Sequence, residues 1–432
     1  MRAIALIITA RIPVRGRAFT ERNLVSTSGH ERVHRHTSKP TLASLLVLIG
    51  GGTLCLAACG GSGVPVASTP IPTIAGTTGA FDDIEIDQKG HRLFVADRSD
   101  QGVDVFDISS AHPKYVQTIP MPSDPNGMAI AADLARLFVA TGAGSVEVVD
   151  INTSSPRLDD VIAEVKTGVT EADLLEYAAA RQRVYVSSGP NGTITSIDPS
   201  TGEVKAHFNI GHTLEQPRFN ARDGMVYVTS PDADALFRIN PGDGSVTSIA
   251  LGGCQPTGLA INPSSNTALI ACQAFVMTWS LSAGKLDTFT QVAGGDIVSY
   301  DATVDRFLVA SPLANGTSAI GIFGENPTAF ITSVVTDARG KSAAYDETNQ
   351  VVYSTDGRPK KAGITSFHLP AAPPAWLSLL TAIGPYAAGL AVLGLLIFLV
   401  GRNADPARRE APAPKPARAG PTSAQTSEGS DP

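Results

Sequence analysis

Apolar and polar residues alternate in short runs along residues 80–370, and turn residues such as Asp, Asn, Gly and Pro separate the runs. A period of two is typical of β-strands that bury one face. The run RLFVA at 92–96, for example, is followed by a polar loop and then by the run GVDVFDI at 102–108. The pattern predicts an all-β region of short antiparallel strands.

These runs form a repeat, and each full unit contains four predicted strands. Repeats of ~40–45 residues with four strands are typical of β-propeller blades, which must stack on their neighbours to bury both faces. Six units of 42 to 46 residues and a last unit of 31 residues predict a seven-bladed β-propeller. The units are 80–122, 123–168, 169–211, 212–253, 254–295, 296–339 and 340–370.

The last unit is short by about one strand, and a candidate for that strand precedes the first unit. This segment, VASTPIPTI at 66–74, belongs to no unit. Its Pro70 and Pro72 exclude it from a central strand but are tolerated on an edge. We therefore expect it to close the ring as the outer strand of the last blade.

An apolar segment before the repeats, TLASLLVLIGGGTLCLAAC at 41–59, follows basic residues and ends in small ones, as secretory signals do. Its last four residues, LAAC, resemble a bacterial lipobox, in which the cysteine takes lipid on its thiol and becomes the new N-terminus. Cys59 fits this role, whereas Cys55 follows Leu54, which is too large for the position before the cut. The alternative, an uncleaved membrane helix, would not need this ending.

A second apolar segment, WLSLLTAIGPYAAGLAVLGLLIFLV at 376–400, has 25 residues and no charge. This length is enough to span a bilayer as a helix, and a buried core helix is the alternative. Arg402, Arg408 and Arg409 follow the segment, so the positive-inside rule favours a cytoplasmic C-terminus. We expect one C-terminal transmembrane helix, with the repeats on the extracytoplasmic side of a bacterial cell membrane.

Composition and charge narrow the choice of partners. The net charge of −7 gives no support for binding to nucleic acid. Charged residues make up only 17% of the chain, in part because of the two apolar segments. The tail at 403–432 is rich in Pro, Ala and Ser and is predicted to be disordered. We expect a monomeric propeller.

The repeats resemble the YVTN-type (YncE-like) bacterial β-propeller repeats and are also similar to NHL and gluconolactonase-like propellers. The resemblance covers about residues 80–370 and implies the fold, whereas function is left open because this fold hosts many unrelated activities. It is carried by RLFVAD at 92–97, RVYVSS at 183–188, MVYVTS at 225–230, DPSTGEV at 198–204, NPGDGSV at 240–246, DPNG at 124–127 and QPTG at 255–258.

The sequence contains no CxxC, CxxCH or GxSxG motif, and we assign no catalytic residue. In propellers the start of each inner strand lines the central channel. Gluconolactonase-like propellers hold a divalent cation there, so the resemblance makes Ca²⁺ or Mg²⁺ the candidate cofactor. Arg218 in the same ring would oppose a cation, and an ordinary polar channel is the alternative. The candidate oxygen ligands are Asp83, Asn126, Asp173 and Asp296.

Two cysteines lie in the fifth unit. Cys254 and Cys272 stand near the ends of its first two predicted strands, and the turn at 263–266 makes these strands an antiparallel hairpin. Such ends approach the ~4.4–6.8 Å Cα separation that a disulfide needs, and an exported compartment permits the bond. Some YVTN-like propellers carry a similar pair. We expect a disulfide; two small buried thiols are the alternative, and a zinc site would need further Cys or His ligands nearby.

Three functions fit these observations. The first is a binding or scaffold module of the cell envelope, whose loops recognise a protein, peptide or glycan. The second is a metal-dependent, lactonase-like hydrolase that uses the channel oxygens. The third is an accessory or sensor subunit of an envelope redox system, which no cofactor motif supports. The predicted organisation is a signal peptide at 1–58, a lipid-anchored tether with the closing strand at 59–79, the propeller at 80–370, the transmembrane helix at 371–402 and the cytoplasmic tail at 403–432.

Overall fold

The computed structural model describes residues 64–313, 315–325, 328–336, 339–371, 393–397 and 399. Within these residues, 28 strands form seven four-stranded antiparallel sheets. The first strands of neighbouring blades contact one another around the ring, and those of blades 7 and 1 also meet. The prediction of a seven-bladed, all-β propeller is therefore confirmed.

The blades follow the order of the chain, and within each blade the strands are named from the inner to the outer edge. Blade 1 contains β2 Phe81–Asp87, β3 Arg92–Asp97, β4 Gly102–Asp107 and β5 Lys114–Pro120. Blade 2 contains β6 Pro125–Ala131, β7 Arg136–Thr141, β8 Ser145–Asp150 and β9 Val161–Lys166. Blade 3 contains β10 Leu175–Ala178, β11 Arg183–Ser188, β12 Thr193–Ile197 and β13 Val204–Asn209. Blade 4 contains β14 Pro217–Asn220, β15 Met225–Ser230, β16 Ala235–Ile239 and β17 Val246–Ala250. Blade 5 contains β18 Leu259–Asn262, β19 Thr267–Ala271, β20 Val276–Ser280 and β21 Gly284–Phe289. Blade 6 contains β22 Val298–Asp301, β23 Arg306–Pro312, β24 Ser318–Gly324 and β25 Ala329–Val335. Blade 7 is β26 Ala343–Asp346, β27 Val351–Asp356, β28 Gly363–His368 and β1 Ala67–Pro70.

The core of the molecule lies between blades. In β3 all six residues are buried, because alternate side chains pack against different neighbours. Leu93 and Val95 join a cluster with blade 7, whereas Phe94 and Ala96 join a cluster with blade 2. Burying a side chain of this kind contributes about 1.5–3 kcal/mol. The described part of the chain contains seven such clusters, one for each contact between neighbouring blades.

The ring closes through the N-terminal strand, as the sequence predicts. Strand β1 pairs antiparallel with β28, with Ala67 opposite Ser366 and Pro70 opposite Gly363. The chain then turns inward, and the amide of Ile71 donates to the carbonyl of Ala362 at 2.9 Å. Because β1 lies at the outer edge of its sheet, Pro70 has no partner strand on its far side.

The strand directions define two faces of the ring. Loops from the second to the third strand, and from the fourth strand to the next blade, lie on what we call the upper face. The remaining loops lie on the lower face. The amide of Leu369 donates to the carbonyl of Gln350 at 3.3 Å, in the loop between β26 and β27, and Ala67 lies near the same end of its sheet. The propeller segments at 64–66 and 369–371 are therefore both on the lower face.

The predicted C-terminal transmembrane helix requires correction. Among the residues that the structure describes, no helix is long and apolar enough to cross a membrane. Of the segment at 376–400, only 393–397 and 399 are described, as helix. This finding corrects the prediction, which rested on apolar composition and length. The signal peptide at 1–58, Cys59 and the tail at 403–432 lie outside the described residues.

Candidate functional site: a groove on the upper face

A groove of about 700 Å³ opens on the upper face over blades 4 to 7. Its size is within the ~300–1,000 Å³ that ligand sites commonly have. Most of the surface that the lining exposes belongs to apolar atoms, and none of the described residues in it is aromatic. The apolar side chains are Pro231, Ala310, Pro312 and Leu313, and the polar ones are Asp232, Gln255, Thr257, Gln273, Asp296, Thr317, Ser318, Arg339 and Lys341.

A disulfide supports one wall of this groove. Cys254 and Cys272 are bonded, with their Cα atoms 4.7 Å apart, and both side chains are fully buried. This confirms the predicted disulfide. The amide of Gln273 also donates to the carbonyl of Cys254 at 3.0 Å. Each cysteine is followed by an exposed glutamine, so the bond holds Gln255 and Gln273 side by side on the wall.

Gln255 is held in a conformation that few side chains adopt. Its φ is 48°, in the left-handed region that non-glycine residues enter only with support. The support is the carboxylate of Asp234, which accepts the amides of Gly253, Cys254 and Gln255 at 2.5, 2.7 and 2.8 Å. Partial burial works against ionisation, but these amides hold the pKa of Asp234 below its ordinary value. The carboxylate and the disulfide together fix this loop.

At its inner end the groove reaches the upper opening of the central channel. Each blade contributes one side chain to this opening. In every blade this residue stands two positions before the first-strand residue at which regular pairing with the second strand begins. We call this set the mouth ring. It shares Thr257, Asp296 and Lys341 with the groove lining. Its members are Asp82, Asn126, Asp173, Glu215, Thr257, Asp296 and Lys341.

Two cations neutralise one side of the mouth ring. Nζ of Lys341 lies 3.1 Å from Oδ1 of Asp82 and 3.0 Å from Oδ2 of Asp296. Nη2 of Arg98, from the loop after β3, lies 2.6 Å from Oδ2 of Asp82. The same guanidinium nitrogen donates to Oδ1 of Asn126 at 2.7 Å. Both cations are therefore held by side chains on one side of the ring, in blades 1, 2, 6 and 7.

The carboxyl groups on the other side of the ring make no direct contact with a cation of the described residues, and the charges of Arg98 and Lys341 act on them only at longer range. Within the described residues, the side chains of Asp173 and Glu215 have no hydrogen-bond or ion-pair partner. Burial raises the pKa of Asp173 to about 8, and the negative charge of Asp82 adds to this rise. Burial also raises the pKa of Glu215 to about 7, and the charge of Asp296 acts in the same direction. Glu171 raises the pKa of both groups further.

The four predicted metal ligands lie at this end of the channel but do not converge. Asp83 is buried one layer below the ring, where it accepts the amides of Ile84 and Met128 at 2.8 and 2.9 Å. This burial raises the pKa of Asp83 to about 6. Oxygens of Asn126 and Asp296 are taken by Arg98 and Lys341. The described part of the chain contains no group of three or more His, Cys, Asp or Glu side chains that could hold a metal ion.

A layer of hydrogen bonds separates the mouth ring from the lower half of the channel. Oε1 of Gln216 accepts the amides of Leu259 and Val298 at 2.6 and 3.0 Å, so this side chain ties blades 4, 5 and 6 together. Below it lies a chamber of about 350 Å³. Arg218 lines this chamber and lies 3.4 Å from Oε2 of Glu176. Our placement of Arg218 in the upper ring was therefore wrong.

Sequence reasoning missed two members of the ring, Glu215 and Lys341. The signal was present, because in every blade the ring residue stands thirteen positions before its second-strand counterpart, as Asp173 does before Val186. Aligning the repeats on their second strands identifies all seven ring residues. Aligning on the start of the first strand fails, because bulges lengthen that strand in blades 1 and 2.

Comparison with known proteins identifies no family for this chain. A scan against protein-family models gave no match, and a search of curated proteins gave none. The resemblance to YVTN-type repeats therefore stays a prediction. The fold is consistent with a binding or scaffold module, and the groove is the feature from which a function can be argued.

Proposed function

We propose that this protein is a binding module of the bacterial cell envelope, and that its groove takes an extended peptide segment of a partner protein. The observation that carries the proposal is the groove itself, which has a volume of about 700 Å³, exposes mostly apolar atoms and is braced by a disulfide. A rigid scaffold that presents such a concave surface on loops is the usual setting of a ligand site.

The chemistry of the lining favours a peptide over a glycan. Pro231, Pro312 and Leu313 offer apolar contacts, which suit the side chains of a peptide. The carboxamides of Gln255 and Gln273 can each donate and accept, which matches the paired N–H and C=O groups of an extended backbone. Neither carboxamide has a side-chain partner within the described residues. A glycan presents mostly hydroxyl groups, which this lining matches less well.

The proposed location is the outer side of the cell membrane, with a lipid on Cys59. A structural disulfide agrees with that compartment, because the cytosol keeps most thiols reduced. Ala67, where β1 begins on the lower face, lies only a short stretch of chain after Cys59. A tether of that length reaches at most ~29 Å. It would hold the lower face toward the membrane and leave the groove open to partners.

A pool of randomised short peptides, blocked at both ends, tests the proposal. The full-length protein should enrich a subset of this pool, and the variant Gln273→Trp should lose about tenfold or more in affinity for that subset, because the indole fills the groove. Gln273 is exposed and has an ordinary backbone conformation, so the substitution leaves the fold intact. The matched control is Gln117→Trp, on the exposed outer strand of blade 1.

Two results would count against a peptide-binding groove. One is a pool that emerges without enrichment of any sequence. The other is enrichment that Gln273→Trp and Gln117→Trp reduce equally, since that pattern places binding outside the groove.

A further inference from the structure

We infer that the segment bound in the groove carries a basic side chain, lysine or arginine, that enters the mouth ring beside Asp173 and Glu215. This inference rests on the proposed function and names the chemistry of its ligand. It predicts an ion pair at the inner end of the groove, between the ligand's basic group and the carboxylates of Asp173 and Glu215, which have no hydrogen-bond or ion-pair partner among the described side chains.

The charge balance of the opening is the first support. The mouth ring contains four carboxyl groups, and Glu171 adds a fifth, whereas Lys341 and Arg98 are the two cations that these groups face among the described residues. With every group ionised, the opening has three negative charges in excess. An opening with an excess of one sign attracts a ligand group of the other sign.

The second support is where the excess lies. Lys341 and Arg98 are held against Asp82, Asp296 and Asn126, on one side of the ring. Asp173 and Glu215 belong to the adjacent blades 3 and 4, on the opposite side. A cation that arrives from the groove therefore meets carboxyl groups that no side chain of the described residues has already paired.

The third support is the path from the groove to these groups. The amide of Glu215 donates to the carbonyl of Thr229 at 3.0 Å, and the hydroxyl of Thr229 donates to the carbonyl of Thr257. Thr257 lines the groove. Asp296 and Lys341 also line the groove, and their charges act on the Glu215 carboxyl, so this carboxyl lies close to the groove wall. Lysine and arginine side chains have long apolar stems that can lie along such a wall while the charged end reaches further.

The bound cation would also change the titration of the opening. Buried carboxyl groups resist ionisation, and an opposite charge nearby favours it. Binding should therefore strengthen as pH rises through the pKa of Glu215, about 7, and that of Asp173, about 8. The groups that face these two carboxyls are Asp82, Arg98, Glu171, Asp296 and Lys341, in addition to each other.

The same peptide pool tests the inference. Lysine or arginine should be enriched at one position, with apolar residues beside it. The best peptide is then remade with norleucine in place of the basic residue, which keeps the stem and removes the charge. We expect the norleucine peptide to bind about tenfold more weakly at pH about 8 and to lose the pH dependence.

Protein variants make the test specific. Glu215→Gln and Asp173→Asn should each weaken the basic peptide by about fivefold to tenfold and leave the norleucine peptide unchanged, because each removes one ionisable carboxyl group and keeps its shape. Glu203→Gln is the matched control, since it removes a carboxylate that is exposed and lies on the lower side of blade 3. Two separate variants guard against one that folds poorly.

The outcomes separate the two proposals. Peptides that bind in a Gln273-dependent way but without preference for a basic residue would overturn this inference and keep the groove. Equal binding of the basic and norleucine peptides, or equal effects of Glu215→Gln and Glu203→Gln, would do the same. A pool with no enriched peptide at all would overturn both.

Discussion

At the scale of single residues, blade 1 contains a pair of carboxyl groups in an unfavourable setting. Asp97 and Asp104 are both completely buried. Thr118 donates to Oδ1 of Asp104 at 2.5 Å, and the amide of Ser99 donates to Oδ1 of Asp97 at 2.7 Å. In the described part of the chain, Oδ2 of each has no partner. Burial raises the pKa of Asp104 to about 8, and the charge of Asp97 adds to the rise.

This pair predicts an unusual pH dependence of stability. The pKa of Asp104 rises from 3.8 to about 8 on folding, so the folded state binds the proton more tightly than the unfolded state. The stability that this group contributes is present at low pH and is lost as the pH rises toward the pKa of Asp104 in the folded state. Asp104→Asn removes the loss and should raise the free energy of unfolding at pH about 9 by about 1–3 kcal/mol, with little effect near pH about 5. Urea titrations at both pH values measure this.

Asp107, three positions along the same strand, is the matched control. The amide of Ser109 holds the pKa of Asp107 below its ordinary value, so folding favours its ionised form. Asp107→Asn should therefore lower stability slightly at alkaline pH, with the opposite sign. A pH profile of Asp104→Asn parallel to that of the natural protein would show that Asp104 is ionised in the folded state.

Single residues were also the hardest features to predict from the sequence. The disulfide was predictable because Cys254 and Cys272 stand near the ends of one hairpin, in a region that the sequence predicts to be exported. Asn126, Asp173 and Asp296 were placed at the channel because each precedes a recognisable strand. The contacts of Asn126 with Arg98 and of Asp296 with Lys341 were not predictable, because each cation comes from a neighbouring blade. Contacts across a ring leave no periodic signal in one blade.

At the scale of secondary structure elements, the sequence predicted the strands well, whereas no membrane span was found among the described residues. Strands such as β3 are short apolar runs between turn residues, and the chain repeats the four-strand plan seven times, so errors in one unit are corrected by the others. The segment at 376–400 has no such repetition, and its assignment depended on apolar composition and length. The closing strand was predictable because the last unit lacked a strand and the segment at 66–74 lacked a unit.

The attachment of that strand gives a prediction for this scale. Ile71 follows β1 and is fully buried between blades 7 and 1. Ile71→Ala should lower the free energy of unfolding by about 2–4 kcal/mol, since it leaves a cavity at the point of closure. Val66, just before β1, is 38% exposed. Val66→Ala should change stability by less than about 0.5 kcal/mol. Equal urea midpoints for the two variants would mean that β1 does not hold the ring.

At the scale of the whole molecule, the proposed orientation depends on the lipid at Cys59. Growth with an alkyne analogue of palmitate should label the natural protein, and Cys59→Ser should abolish the label. Cys55→Ser should keep it, because Leu54 prevents cleavage before Cys55. Loss of the label in Cys55→Ser alone, or its persistence in Cys59→Ser, would contradict the lipid at Cys59 and with it the proposed orientation.

The pairing of β1 with β28 also sets an order of events during biosynthesis. Ala67 is made early and Ser366 late, yet they lie side by side in the finished ring. Because the chain is synthesised from its N-terminus, β1 has no partner strand until almost the whole repeat region has been made. Contacts between such distant residues form slowly. A chain that stalls before β28 would keep an open seventh blade, so ring closure reports that the whole repeat region has been made.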